Sequence, residues 1–258
     1  MSDAPASTGG EHQPAEGSGK HPDGQEQPGR AVAGDVDGAP RNGDVPVLSV
    51  QRVSKRYGRI TALRDVSFEV HRGEVVALVG DNGAGKSTLV NILSGALAPS
   101  GGHLVLDGKP VSFRDAHQAR RVGIETVYQD LALANDVPAW ANLYLGREVT
   151  SRGLLGALGW LDKAAMIRQA DQAMAATKIR VKSVRSKCGS LSGGQRQAVA
   201  VARAITWGSR LLLMDEPTAA LGVEQQQQVG NLIRTVRATG TPVVLISHNL
   251  PQVMDISD

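Results

Sequence analysis

The sequence predicts an α/β fold: a mixed, largely parallel core sheet with an antiparallel β edge and a helical subdomain inserted between strands. From residue 47 onward, short β-branched runs alternate with helical patterns, the order of a sheet covered by helices. Three of the runs, EVVALV (74–79), RLLLMD (210–215) and PVVLIS (242–247), are almost continuously apolar, as parallel strands covered on both faces are. Between them, about 130–190, lie helical patterns such as LDKAAMIRQADQAMAAT and no convincing strand.

Residues 1–45 consist mainly of Gly, Pro, Ala, Ser and acid without an aromatic residue. Such a stretch cannot bury enough apolar surface to offset the entropy of ordering, so a disordered acidic tail is expected, with the domain over 46–258. Through Asp44 the tail holds three basic and eight acidic residues, −5, so a total of +3 leaves +8 on the remainder. That surplus suits nucleotides, nucleic acid or an acidic membrane surface alike. The tail lacks the basic end and apolar run of a secretory signal. The single Cys188 excludes an internal disulfide and reads as a bystander thiol in a reducing compartment. No apolar run approaches the roughly 20 residues of a membrane span.

Strands are expected at VLSVQRV (47–53), VSFEV (66–70), HLVLD (103–107) and GIETVYQ (123–129), besides the three apolar runs. Leu89, Ile92 and Leu93 repeat at helical spacing, as do Val229, Leu232, Ile233 and Val236 before Gly240. The glutamine run 225–228 is expected on the wet side of the second of these helices.

LVGDNGAGKSTLVNIL (78–93) satisfies G-x-x-x-x-G-K-[ST] between a strand and a helix, the context that makes the motif a phosphate site. Gly80, Asp81, Asn82, Gly83, Ala84, Gly85, Lys86, Ser87 and Thr88 form it. Its glycines let backbone N–H groups turn inward, and the helix N-terminus adds partial positive charge. Lys86 is placed for the β- and γ-phosphates and Ser87 for Mg²⁺. Asp215, ending a buried strand, is a second candidate for Mg²⁺, and Glu216 beside it for polarising an attacking water. A second anion grip stands in CGSLSGGQRQAVAVARA (188–204). Ser192 is a fit N-cap, Gly193 and Gly194 leave helix N–H groups unobstructed, and Ala198, Val201, Ala202 and Ile205 are expected to pack inward.

Tyr57, the loop 80–88, Gln129, LSGGQ (191–195), LLLMDE (211–216) and His248 stand in the order and approximate spacing of the ATP-binding-cassette ATPases, which the chain resembles from about Val47 to Asp258. The resemblance implies a P-loop NTPase cassette that hydrolyses ATP with Mg²⁺. It further implies that Tyr57 stacks on adenine, that Gln129 reaches Mg²⁺ and the attacking water, that His248 contacts the γ-phosphate, and that Ser192, Gly193, Gly194 and Gln195 grip a nucleotide. In that family a second subunit completes each site, which explains two grips in one chain: two domains paired head to tail sandwich two ATP molecules. Where many cassettes have an aspartate in EPTAALGV, this chain has Gly222.

GDNGAGKSTL, VYQDLALANDVPAWANLYLGRE and EPTAALGV are similar to bacterial monosaccharide-importer ATPases of the fructose and ribose type. The implied partners are a second ATPase subunit, transmembrane permease subunits and, indirectly, a sugar-binding protein, with the chain cytoplasmic and peripheral on the inner face of the cell membrane. The alternative is a soluble cassette ATPase acting on nucleic acid or the ribosome. Against it stand the acidic extension, the single cassette, the absence of long heptads and an aromatic content of 3%, so no nucleic acid is expected. An inert regulatory cassette is disfavoured by the presence of Lys86, Asp215, Glu216 and His248. The chain ends ten residues after His248, where related cassettes continue through a further strand or two, so a truncated C-terminus is expected.

Overall fold

The computed structural model describes residues 45–258 apart from Arg152 and Ala220, so the expected tail lies, save for Val45, outside the described residues. The elements are β1 (Leu48–Tyr57), β2 (Ile60–Val70), β3 (Val75–Leu78), α1 (Lys86–Leu93), β4 (Gly101–Leu106), β5 (Lys109–Val111), α2 (Ala116–Arg121), β6 (Ile124–Val127), α3 (Ala139–Tyr144), α4 (Leu154–Ala157), α5 (Lys163–Ala176), α6 (Gly193–Thr206), β7 (Leu211–Asp215), α7 (Val223–Ala238), β8 (Val243–Ile246) and α8 (Leu250–Ile256).

The strands form two sheets. The parallel one has the order β3-β8-β7-β6, and the antiparallel strands make a four-stranded sheet of their own, β2-β1-β4-β5. Side chains alternate across the parallel strands with period two, and this divides the core. Leu211, Leu213, Val244 and Ile246 face Leu89, Ile92 and Leu93 of α1 and Leu48, Val50 and Val53 of β1. Their neighbours Leu212, Met214, Val243 and Leu245 face the other way, onto Ala198, Val201 and Ala202 of α6 and Leu232 and Ile233 of α7. Each fully buried Leu, Ile or Val contributes about 1.5–3 kcal/mol of transfer free energy. β7 and β8 are central and fully buried but for Asp215, whereas β3, equally apolar in sequence, lies at the sheet edge and is half-buried after Val75.

Between β6 and α6 the chain carries α3, α4 and α5. Tyr144 joins α3, and Met166 and Met174 join α5, to the second core. Asn142, fully buried, accepts from Ala134 N–H at 2.8 Å and donates to the carbonyls of Ala134 and Val137 at 3.0 and 3.1 Å, which fixes the loop before α3. Among the described residues no helix is long and apolar enough to cross a membrane.

Candidate active site

All four parallel strands deliver candidate residues at their carboxyl ends, where open α/β sheets bind ligands. β3 leads into the loop 80–85 and α1, β6 into Gln129, β7 ends on Asp215 followed by Glu216, and β8 leads to His248.

The loop has a definite shape. Gly85, the N-cap of α1, has φ 92°. A Cβ there would stand 2.5 Å from the carbonyl oxygen of Ala62 and 2.8 Å from Leu63 Cδ2, because β2 runs directly against the loop. Only glycine satisfies both demands. Lys86 Nζ donates to the backbone oxygens of Gly80 and Asp81, the latter at 2.8 Å, and so holds its charge inside the ring. The first N–H groups of α1 have no intrahelical acceptor, and its first turn carries no acid to compete for them. Tyr57 pairs with Ile60 at the β1–β2 hairpin, two residues before Ala62. The residue is 48% exposed, with Lys55 Nζ 5.5 Å from the ring centroid.

Burial pushes the Asp215 carboxyl up from the ordinary carboxylate range, Glu216 adds to that, and Lys86 opposes it. Glu216 has φ 46°, a left-handed conformation that costs a non-glycine residue of order 1–3 kcal/mol. It is held by its N–H donating to Ile246 O at 2.9 Å. His248 Nδ1 lies 3.3 Å from Glu216 Oε1. Thr218, buried, donates its hydroxyl to Gln252 Oε1 at 2.6 Å and ties the segment after Glu216 to α8 after His248. Pattern reading gave no signal for this clasp, since a Thr and a Gln far apart in sequence are unremarkable.

Gln129 is exposed just beyond β6. Two residues on, Leu131 and Ala132 have φ 60° and 45°. Arg203 of α6 donates from both Nη atoms to their carbonyls, at 3.1 and 2.9 Å. Glu125 on β6 is buried, and its carboxyl is raised by desolvation against the pull of Arg147, whose Nη2 is 2.9 Å away.

The second grip is a separate construction. Ser192 Oγ accepts from Gln195 N–H at 3.3 Å, and Gln195 Oε1 accepts from Ser192 N–H at 3.0 Å, a complete capping box. Gln195 Nε2 donates to Arg180 O at 2.9 Å, so both ends of this amide serve local structure. A Cβ at Gly193 would meet Leu221 Cδ2 at 2.5 Å, and one at Gly194 would meet Gln228 Oε1 at 2.8 Å. These glycines therefore let α6 and α7 approach closely, besides leaving N–H groups open. The glutamine run consequently departs from the expected wet face: Gln225, Gln226 and Gln228 are half-buried, and only Gln227 is exposed. No atom of the loop 80–88 is among the nearest neighbours of Gly193 or Gly194. Replacing Ser192 with Ala is expected to remove the cap and cost about 1 kcal/mol, seen as a melting point lower by about 2–4 °C.

Gly222 is the N-cap of α7, lacks a side-chain cap, and has nothing within 4 Å of a built Cβ. Gly222→Asp is therefore expected to stabilise by a few tenths of a kcal/mol. Thermal melting should rise by about 1 °C, and a fall would show the loop to be more crowded than described.

A glycine-rich loop opening a helix, an aspartate closing a buried central strand of the same sheet and a glutamate held in a strained turn beside it define a P-loop nucleoside-triphosphatase. The chain belongs to the ABC transporter family, whose profile matches residues 63–219. It is 46% identical over 217 residues to the fructose import ATP-binding protein of Rhizobium meliloti, spanning 83% of each chain. It is 45% identical over 212 residues to the xylose/arabinose import ATP-binding protein of Sulfolobus acidocaldarius, spanning 82% of each. It also resembles a dimeric ATP-binding cassette solved in a post-hydrolysis state with ADP and Pi, with TM-score 0.64 and 25% identity over 80% of this chain and 89% of that one.

Proposed function

We propose that the chain is the ATP-hydrolysing subunit of an importer that energises monosaccharide uptake through a separate membrane permease, working as a homodimer on the inner face of the cell membrane. The observation that supports this best is the division of the site. The loop 80–88, Asp215, Glu216 and His248 follow the carboxyl ends of the parallel strands, whereas Ser192–Gly194 open a different helix against α7. On this reading each ATP lies between the carboxyl end of the parallel sheet of one chain and the α6 N-terminus of the other.

The Tyr57 ring stacks on adenine. Backbone N–H groups of Gly83–Thr88 and the Lys86 ammonium hold the phosphates. Ser87, Gln129 and Asp215 offer hard oxygen donors. Among the described residues no three His, Cys, Asp or Glu gather into a self-sufficient metal site, which fits Mg²⁺, an ion bound through one or two carboxylates together with substrate phosphates. When bound, that ion would neutralise charge on the β- and γ-phosphates. Glu216 orients and polarises the attacking water, and His248, 3.3 Å from it, contacts the γ-phosphate. Ser192 and the N–H groups of Gly193 and Gly194 grip the γ-phosphate of the partner's ATP. ATP thus joins the two chains, and hydrolysis releases them.

The curated relatives are sugar-import subunits by name, which supports a monosaccharide as the cargo and a sugar-binding protein as an indirect partner. The loop from Leu131 to Trp140, beside the Gln129 hinge, is the proposed seat of the permease. ATPase activity reconstituted with the permease and binding protein should rise several-fold with the cognate sugar, and Leu131–Trp140 should crosslink to the permease. Stimulation by RNA or ribosomes, with none by sugar, would favour the soluble alternative.

A further inference from the structure

Arg203 is the least conventional charge in the fold. It is half-buried on α6, and burial draws it below the ordinary arginine range, with Arg120 adding to that. Among the described residues no carboxylate lies within 4.0 Å of it: Glu125 is engaged by Arg147 instead. Its fork is directed at two successive backbone carbonyls, those of Leu131 and Ala132. Both residues are left-handed, a conformation that non-glycine residues hold only when the surroundings over-determine it. The N–H groups of Leu131 and Ala132 donate locally, to Tyr128 O at 2.9 Å and Asp130 Oδ1 at 3.2 Å, and Arg203 adds the tie from both carbonyls to α6.

The same helix begins at the other grip. α6 runs without Gly or Pro from Gln195 to Thr206, buries Ala198, Val201 and Ala202, and is closed at its start by the capping box of Ser192 and Gln195. An uninterrupted, packed helix of this kind moves as a rod. Arg203 lies ten residues after Gly193, about 15 Å along the axis. A displacement of the Ser192 end reaches the Leu131 and Ala132 carbonyls through this pair of charge-assisted hydrogen bonds, beside the packing of Leu131 and Leu133 on the core that α6 shares.

We propose that Arg203 is a positioning residue that makes Gln129 in one nucleotide site answer to whether Ser192–Gly194 of the same chain have gripped the nucleotide of the other site. The proposal rests on the reading above, in which those two groups face different ATP molecules. The two-state element is the hinge at residues 131 and 132: strained while the fork holds it, free to relax when α6 shifts. Coupling of the two sites then runs through a discrete contact rather than through the sheet.

The test is hydrogen exchange on the full chain carrying Glu216→Gln, so that ATP is bound without turnover. Adding Mg-ATP is expected to protect the loop 80–88 and to change exchange of the amides at 130–133. A further Arg203→Ala change is expected to keep the first effect and abolish the second, and Arg203→Lys, able to hold one carbonyl, to leave an intermediate change even if the alanine variant folds poorly. In the Glu216 chain, Arg203→Ala should lower kcat at least about tenfold with KM for ATP within about twofold. Added to Gln129→Ala it should cost less than about twofold more, because both changes interrupt one path. An ATP-dependent change at 130–133 that survives in the folded Arg203 variants, or additive losses in the double variant, overturns the proposal. Absence of protection at 80–88 in every chain would instead overturn the site reading on which it rests.

Discussion

Glu216→Gln is expected to lower ATP turnover at least about a hundredfold while leaving ATP binding intact, the loss typical when a positioned general base is removed. The change is nearly isosteric. It keeps the backbone bond from residue 216 to Ile246 O and adds no volume beside His248. It removes the charge that helps to raise the Asp215 carboxyl but alters no atom of the loop 80–88 or of the Asp215 side chain, so the groups proposed to hold the phosphates stay in place. What is lost is the carboxylate proposed to orient and polarise the attacking water. Because hydrolysis is what separates the chains in this account, the variant should accumulate as ATP-bound dimer, seen as an earlier size-exclusion peak that appears only with ATP. Turnover within about threefold of the unaltered chain would place the base elsewhere and remove the reason for the strained φ at this position.

Gly85→Ala is expected to damage both stability and nucleotide binding. At φ 92° an alanine is strained, by about 1–2 kcal/mol. The added Cβ also meets the Ala62 carbonyl at 2.5 Å. That neighbour is backbone within the β1–β2 sheet and cannot turn aside as a flexible side chain would. A combined loss of at least about 2 kcal/mol lowers the melting point by about 4–8 °C. The clash further displaces the start of α1, where the N–H groups proposed to bind phosphate lie, so ATP affinity should fall more than about tenfold. Gly222→Ala is the control: with φ −70° and open space around its Cβ, it should change stability by less than about 0.5 kcal/mol. If the two alanine variants melt alike, the close approach of β2 to the loop is not what constrains Gly85.

The parallel strands and the phosphate loop were legible because they are local. An apolar run ending in a glycine-rich turn has few alternative folds, and Asp215 and His248 follow such runs directly. The antiparallel sheet was less so. The first half of β2 carries Thr61, Arg64 and Asp65 on exposed or half-exposed positions, and β5 is three residues with Pro110 at its centre, so neither shows the alternation that marks a strand. Apolar content also does not separate edge from centre, as β3 against β7 and β8 shows. Contacts between distant segments left no trace at all. Gln225 and Gln228 look like a solvated face until α6 presents two glycines to them. Arg203 looks like a cation complementing the C-terminal end of a helix dipole, and only the fold reveals that its targets are Leu131 and Ala132.

On the proposed reading each nucleotide is enclosed by two copies of the chain. Phosphate release per chain, measured at saturating Mg-ATP over a wide dilution series, tests it most directly. Specific activity is expected to rise with protein concentration and level off once dimers form, with a midpoint that Ser192→Ala moves to higher concentration. A specific activity that stays constant down to the lowest measurable concentration, in a chain shown to be monomeric there, would contradict the claim.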